Sequence, residues 1–110
     1  MLQIIGNNQN KEFQKAVRYC KERRIDFQIV DTKERKLSEK EWKSIFQSLS
    51  DPMDAVDTSS QYYKKNGYAY REFDAEEEVR EHVELLKMPV LRSGQKAHVG
   101  FDETFVKENA

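Results

Sequence analysis

Apolar residues come in short bursts along this chain, and their spacing shifts from two to between three and four and back. Leu2-Gln3-Ile4-Ile5 is a brief apolar run ending at Gly6 and predicts a first strand. Asn7-Asn8-Gln9-Asn10 is a polar turn, with Asn10 placed to cap a helix. From Lys11 to about Arg24, Phe13, Ala16, Val17 and Cys20 fall at i, i+3, i+4 and i+7, the stripe of a helix packed on one side. Lys15, Arg18 and Glu22 take the opposite face. Period two returns in Ile25, Phe27 and Ile29, so a second strand is expected to end at Val30. After a charged connector, Thr32 to Lys36, Ser38 and Glu41 have the spacing of a capping box, and Leu37 with Trp42 that of a hydrophobic staple. Trp42, Ile45, Phe46 and Leu49 predict a second helix stopped by Asp51-Pro52.

The next stretch is less regular. Met53 to Asp57 suits a helical turn, and Thr58 or Ser59 is expected to cap a short helix through Lys65 that ends at Asn66-Gly67. Asp74 and Glu77 form a second capping-box pattern, followed by a helix with Val79, His82, Val83 and Leu86 on its apolar face. Pro89 to Arg92 and Lys96 to Val99 read as a hairpin turning at Ser93-Gly94-Gln95. Asp102 then caps a last helix carrying Phe105 and Val106. The expected order is β-α-β-α-[α]-α-β-β-α, an α/β class with a mixed four-stranded sheet in one domain over residues 1–110.

Composition narrows the field without naming a function. Four Gly, two Pro and one Cys exclude collagen, disulfide miniproteins and low-complexity chains. No apolar run approaches the ~20 residues of a membrane span, and the N-terminus lacks a signal-peptide pattern, so a cytoplasmic location is expected. A formal net charge of −1 gives no overall drive toward nucleic acid or an anionic membrane. The charge is uneven, however: residues 1–50 hold 11 basic and 7 acidic side chains, and residues 51–110 hold 8 and 13. Either two solvent faces are decorated differently, or the basic first helix docks an acidic partner.

Three blocks carry a family likeness. They are Ile4 to Ala16, with its polar loop and the Lys15-Ala16 pair; Lys36 to Glu41, a Leu-Ser helix entry; and Met88-Pro89-Val90 followed by Gly94 to Phe101. In this order the chain resembles the arsenate reductase family and its Spx-type regulatory relatives, over residue 2 to about 106. The resemblance implies a thioredoxin-like fold with a helical insertion, and a cis bond before Pro89. It also implies a reactive cysteine just ahead of the first helix, where N–H groups and the helix dipole favour a thiolate. Asn10 stands there instead, and Phe13 stands where some relatives carry a second cysteine. Met88 replaces the arginine that helps the reductases hold the oxyanion. Such a charged contact contributes roughly 1.5–3 kcal/mol, and a thioether supplies none of it.

The expected catalytic set is therefore empty, with Asn10, Phe13 and Met88 as vacated positions. Asn7, Asn8, Gln9, Asn10, Lys11 and Pro89 are left as candidates for binding an anion or a partner, against the plainer reading of a capped turn. Lys15, Arg18, Tyr62, Tyr63 and Tyr68 are candidates for a partner surface. Five aromatics between Tyr62 and Phe73 suit either core or interface. Cys20 lies on the apolar stripe, so core packing outweighs a redox role. His82 and His98 show no metal-ligand spacing, so no metal is expected. A degenerate domain that binds an unidentified protein partner, with no cofactor, is the leading expectation. The alternatives are a thiol-dependent reductase using Cys20 or external glutathione, and a small-anion binder at the Asn loop.

Overall fold

The computed structural model describes residues 1–110, and its centre is a four-stranded sheet of order β2-β1-β3-β4. Strand β1 (Leu2–Gly6) pairs in parallel with β2 (Phe27–Asp31), placing Leu2 opposite Phe27 and Gly6 opposite Asp31. On its other side β1 runs antiparallel to β3 (Val90–Ser93), which pairs antiparallel with β4 (Lys96–Val99). The α/β class and the mixed sheet agree with the sequence. Ile4 and Ile5 are both wholly buried, because helices cover both faces of the sheet. A strand sandwiched in this way reads as a continuous apolar run, as Leu2 to Ile5 does.

Helix α1 (Lys11–Glu22) lies on one face of the sheet. Its Phe13, Ala16, Tyr19 and Cys20 pack with Leu2, Ile4 and Leu91 and with Val106 of the last helix, α5 (Glu103–Asn109). The other face is larger. There α2 (Glu39–Gln47), α3 (Gln61–Lys65) and α4 (Ala75–Glu81) surround a core built on Ile5, Val30 and Val90, with Trp42, Ile45, Val79 and Leu85 at its centre. Short 3-10 turns at Pro52–Ala55, Tyr68–Tyr70 and Val83–Leu85 join these helices. The insertion is thus a cover for the sheet, with no core of its own.

Several local expectations shift. Helix α1 stops at Glu22, and Arg24 takes a φ of 54°, so the chain turns just before the end near Arg24 that the sequence suggests. Ile29 follows the two-residue alternation yet is 45% exposed, because β2 is an edge strand that α1 does not fully cover. Helix α2 ends at Gln47, ahead of Asp51-Pro52; Asp51 instead caps the Pro52–Ala55 turn through a bond from Met53 N. The cap of α3 is Ser60 rather than Thr58 or Ser59, its hydroxyl accepting from Tyr63 N at 3.2 Å. Asp57 takes Ser59 instead, accepting from both its N–H and its hydroxyl. Helix α4 ends at Glu81, so His82, Val83 and Leu86 do not continue its face; Val83 enters a 3-10 turn. The hairpin turns over Gly94-Gln95, with Ser93 still paired to Lys96.

Candidate functional site

The site begins where β1 meets α1. A Cβ built at Gly6 would lie 2.5 Å from Phe13 Cδ1, so the strand can end this close to the helix only without a side chain there. Phe13 is consequently core and does not face the site. Asn10 is the N-cap, with φ −87° and ψ 124°, and its Oδ1 accepts from Phe13 N at 2.9 Å. Its own N–H donates to Asn7 O at 3.1 Å. Asn7 Oδ1 accepts from Gln9 N, and Gln14 Nε2 donates to Asn8 O. Two of the four side chains of the Asn loop, those of Asn7 and Asn10, are therefore engaged in shaping it.

The facing wall is the turn into β3. The Met88–Pro89 bond is cis, as the resemblance implies, and Pro89 O accepts from Gly100 N at 2.8 Å. Met88 is buried, and its sulfur lies 3.4 Å from Asn7 Nδ2. The two positions where the resemblance implies a nucleophile and a guanidinium hold a capping amide and a thioether. Between the walls lies a cleft of about 540 Å³, lined by Asn7, Gln9, Asn10 and Met88 together with Tyr62 and Gln61. Lys33 and Lys65 enter it, and so do Asp57 and Glu84. Two cations against two carboxylates leave no net charge for an oxyanion.

The structure gathers only part of the predicted set. Asn7, Gln9, Asn10, Met88 and Tyr62 line the cleft; Asn8 and Lys11 do not, and Pro89 is buried behind the wall. Lys15 and Arg18 stand exposed on α1. Tyr68 is only 3% exposed and sits among Tyr62, Tyr63 and Phe73, with Arg71 over its ring at 4.0 Å. It belongs to the core rather than to a partner surface. Burial pushes its phenol up to about 12, helped by its hydrogen bond to Glu78 at 2.9 Å. Lys33, Asp57, Gln61, Lys65 and Glu84 went unrecognised because they come from connectors with no periodic signal, brought together only by the insertion.

Two other places hold concentrated charge. A cavity of about 690 Å³ adjoins the cleft and shares Lys33 and Glu84 with it. Its arginines are already paired, Arg35 with Glu41 at 2.8 Å and Arg80 with Glu39 and Glu76. At the end of α4, donor atoms of Glu78, Glu81 and His82 lie within 4.8 Å of one another, a grouping that the sequence reading did not anticipate. Glu78 Oε1 already takes the Tyr68 hydroxyl and lies 3.6 Å from Arg71. That carboxylate is built into an ion pair. Cys20 is fully buried beneath α1, and burial raises its thiol pKa. Ten residues past Asn10, it lies about 15 Å along the helix from the cleft.

No family model matches the sequence, and no curated protein matches it either. Solved structures do. The arsenate reductase from Vibrio cholerae superposes with a TM-score of 0.77 at 18% identity, over 99% of this chain and 97% of that one. An arsenate reductase related protein from Brucella melitensis gives 0.70 at 18% identity, over 97% and 92%. An ArsC family related protein from Bacteroides fragilis gives 0.81 at 17% identity, over 99% and 97%. Agreement at this level extends to the path of the chain and not to its chemistry. From end to end, the chain has the thioredoxin-like fold of the arsenate-reductase-like structures.

Proposed function

We propose that this chain is a catalytically degenerate arsenate-reductase-like domain that works as a regulatory module by binding a protein partner. One observation carries the reading: Asn10 spends its side chain capping α1, in the place where the resemblance puts a reactive cysteine. An amide cannot attack arsenate or a disulfide. Met88 compounds the loss, since its sulfur faces Asn7 and offers no charge to an oxyanion. What remains is a polar cleft of balanced charge on a rigid scaffold, a surface suited to recognition. The competing reading, a reductase working through Cys20, is weakened by the burial of that thiol on the far side of Phe13. Glutathione belongs to that competing reading alone.

The test is arsenate-dependent NADPH consumption, coupled through glutathione and glutaredoxin or through thioredoxin and its reductase. Wild-type protein is expected to match the blank. Turnover well above it, lost in Cys20→Ser, would overturn the proposal.

A further inference from the structure

The outward face of α1 gathers four cations along one side of a single helix. Lys11, Lys15, Arg18 and Lys21 are all exposed there, and no carboxylate lies within 4.0 Å of any of them. Lysines without ion-pair partners also stand elsewhere, Lys40 and Lys43 on α2 among them, so it is the clustering on α1 that sets this face apart. The four cations span ten residues, or about 15 Å of helix. Among them lies a shallow depression of about 350 Å³, lined by Asn8, Gln14, Val17, Arg18, Lys21 and Glu22. Val17 supplies an apolar floor, and Glu22 is the one acidic group at the rim. Asn8 joins this face to the loop that shapes the cleft, through its bond with Gln14. The helix beneath is firmly held, with Phe13, Ala16, Tyr19 and Cys20 buried and Asn10 as its cap.

We infer that this face of α1 docks a short acidic segment of a partner protein, an inference that rests on the partner-binding reading above. Cations left without intramolecular partners on a rigid element are free to meet carboxylates without first breaking existing pairs. The partly buried Val17 gives such a segment one aliphatic contact to fix its register. Nucleic acid fits less well: the cations cover only one short helix face, and the chain as a whole carries −1. An acidic peptide of a few turns or strands matches the patch in both length and sign.

A synthetic peptide of about twelve residues, repeating Glu-Glu-Leu-Glu, is the probe, long enough for the ~15 Å patch. It is titrated into the full chain at low salt, with binding followed by fluorescence anisotropy and by backbone amide shifts. Saturable binding is expected, with the largest shifts at Gln14, Val17, Arg18 and Lys21. Lys15→Glu with Arg18→Glu should weaken it by about tenfold or more, and Lys40→Glu with Lys43→Glu on α2 by less than about twofold. Lys15→Gln with Arg18→Gln, which adds no repulsion within the helix, should give an intermediate loss. Equal losses from the α1 and α2 reversals, or shifts spread evenly over all lysines, would overturn the inference. So would tighter binding of an oligonucleotide of equal charge at the same residues, which would make the face a nucleic-acid surface. Arsenate turnover is measured without peptide, so the degenerate reading and the docking inference fail separately.

Discussion

At the scale of single residues, position decides what a side chain's chemistry can do. Asn10 has the backbone of an N-cap, and Asn is among the best residues there. Its amide is no nucleophile. Cys20 shows the reverse: it is a nucleophile by type and is silenced by its place in the fold. Burial disfavours its thiolate, and the core around it blocks reagents. Ellman's reagent should therefore modify Cys20 slowly in native buffer and rapidly in denaturant. Equal rates in the two conditions would mean that α1 presents a different face to the sheet. Both residues were legible in the sequence, Cys20 from its place on a 3.6-residue stripe and Asn10 from its place ahead of that stripe. Lys33, Asp57 and Glu84 were not, because connector residues acquire meaning only from the elements that bring them together.

At the scale of elements, capping explains more than propensity does. Helix α2 has only nine residues, too short to persist alone, and its start is fixed by a complete capping box. Ser38 Oγ accepts from Glu41 N, and Glu41 Oε1 accepts from Ser38 N at 2.8 Å. Arg35 adds a two-pronged contact with both oxygens of Glu41, at 2.9 and 2.8 Å. The Arg35 hydrogen bond above all holds Glu41 down at about 2, against an ordinary 4.5. A carboxyl depressed in the folded state stabilises it above the unfolded pKa and stops doing so as pH falls through the folded one. This contribution is therefore complete above about pH 4.5 and fades toward about pH 2. Glu41→Gln keeps an acceptor for Ser38 N but loses the charge, and should cost roughly 1–2 kcal/mol at neutral pH, discounted because Arg35 is half exposed. Denaturant midpoints for the two proteins should converge as pH drops to about 2. A gap that stays constant across that range would remove Arg35 from the explanation. The Ser38–Glu41 spacing announced this box in the sequence. Helix α4 misled by the same logic, since its apolar pattern runs on past Glu81 while the chain changes to a 3-10 turn. Side chains such as Leu86 reach the core from that turn, and periodicity alone cannot distinguish the two geometries.

At the scale of the whole molecule, the sheet divides labour between its faces. One face carries α1 and α5 over a smaller core, and the other carries the insertion over a larger one. The cleft lies at the end of the sheet where β1 enters α1, opposite the turn before β3. The order of elements and the parallel start followed from apolar spacing and from hairpin chemistry. The insertion was the least legible segment, and the reason is physical. Four of its five aromatics stack on one another and on Arg71 and His82 rather than on a regular stripe, so no period reveals which ones are buried. Tyr68 proves to be core, while Tyr70, two residues on, is 94% exposed. No helix of the structure is long and apolar enough to cross a membrane.

The central claim is that residue 10 stands where a thiolate would be favoured. Asn10→Cys on a Cys20→Ser background tests it most directly, through the pH dependence of alkylation. The N-terminal dipole of α1 stabilises an anion there by roughly 0.3–1 kcal/mol, with further help from N–H groups freed by loss of the amide cap. At about 1.4 kcal/mol per pKa unit, the new thiol should titrate clearly below the ~8.5 of a free cysteine. A value at or above 8.5 would contradict the account, because residue 10 would then lack the anion-stabilising setting that the vacated site requires.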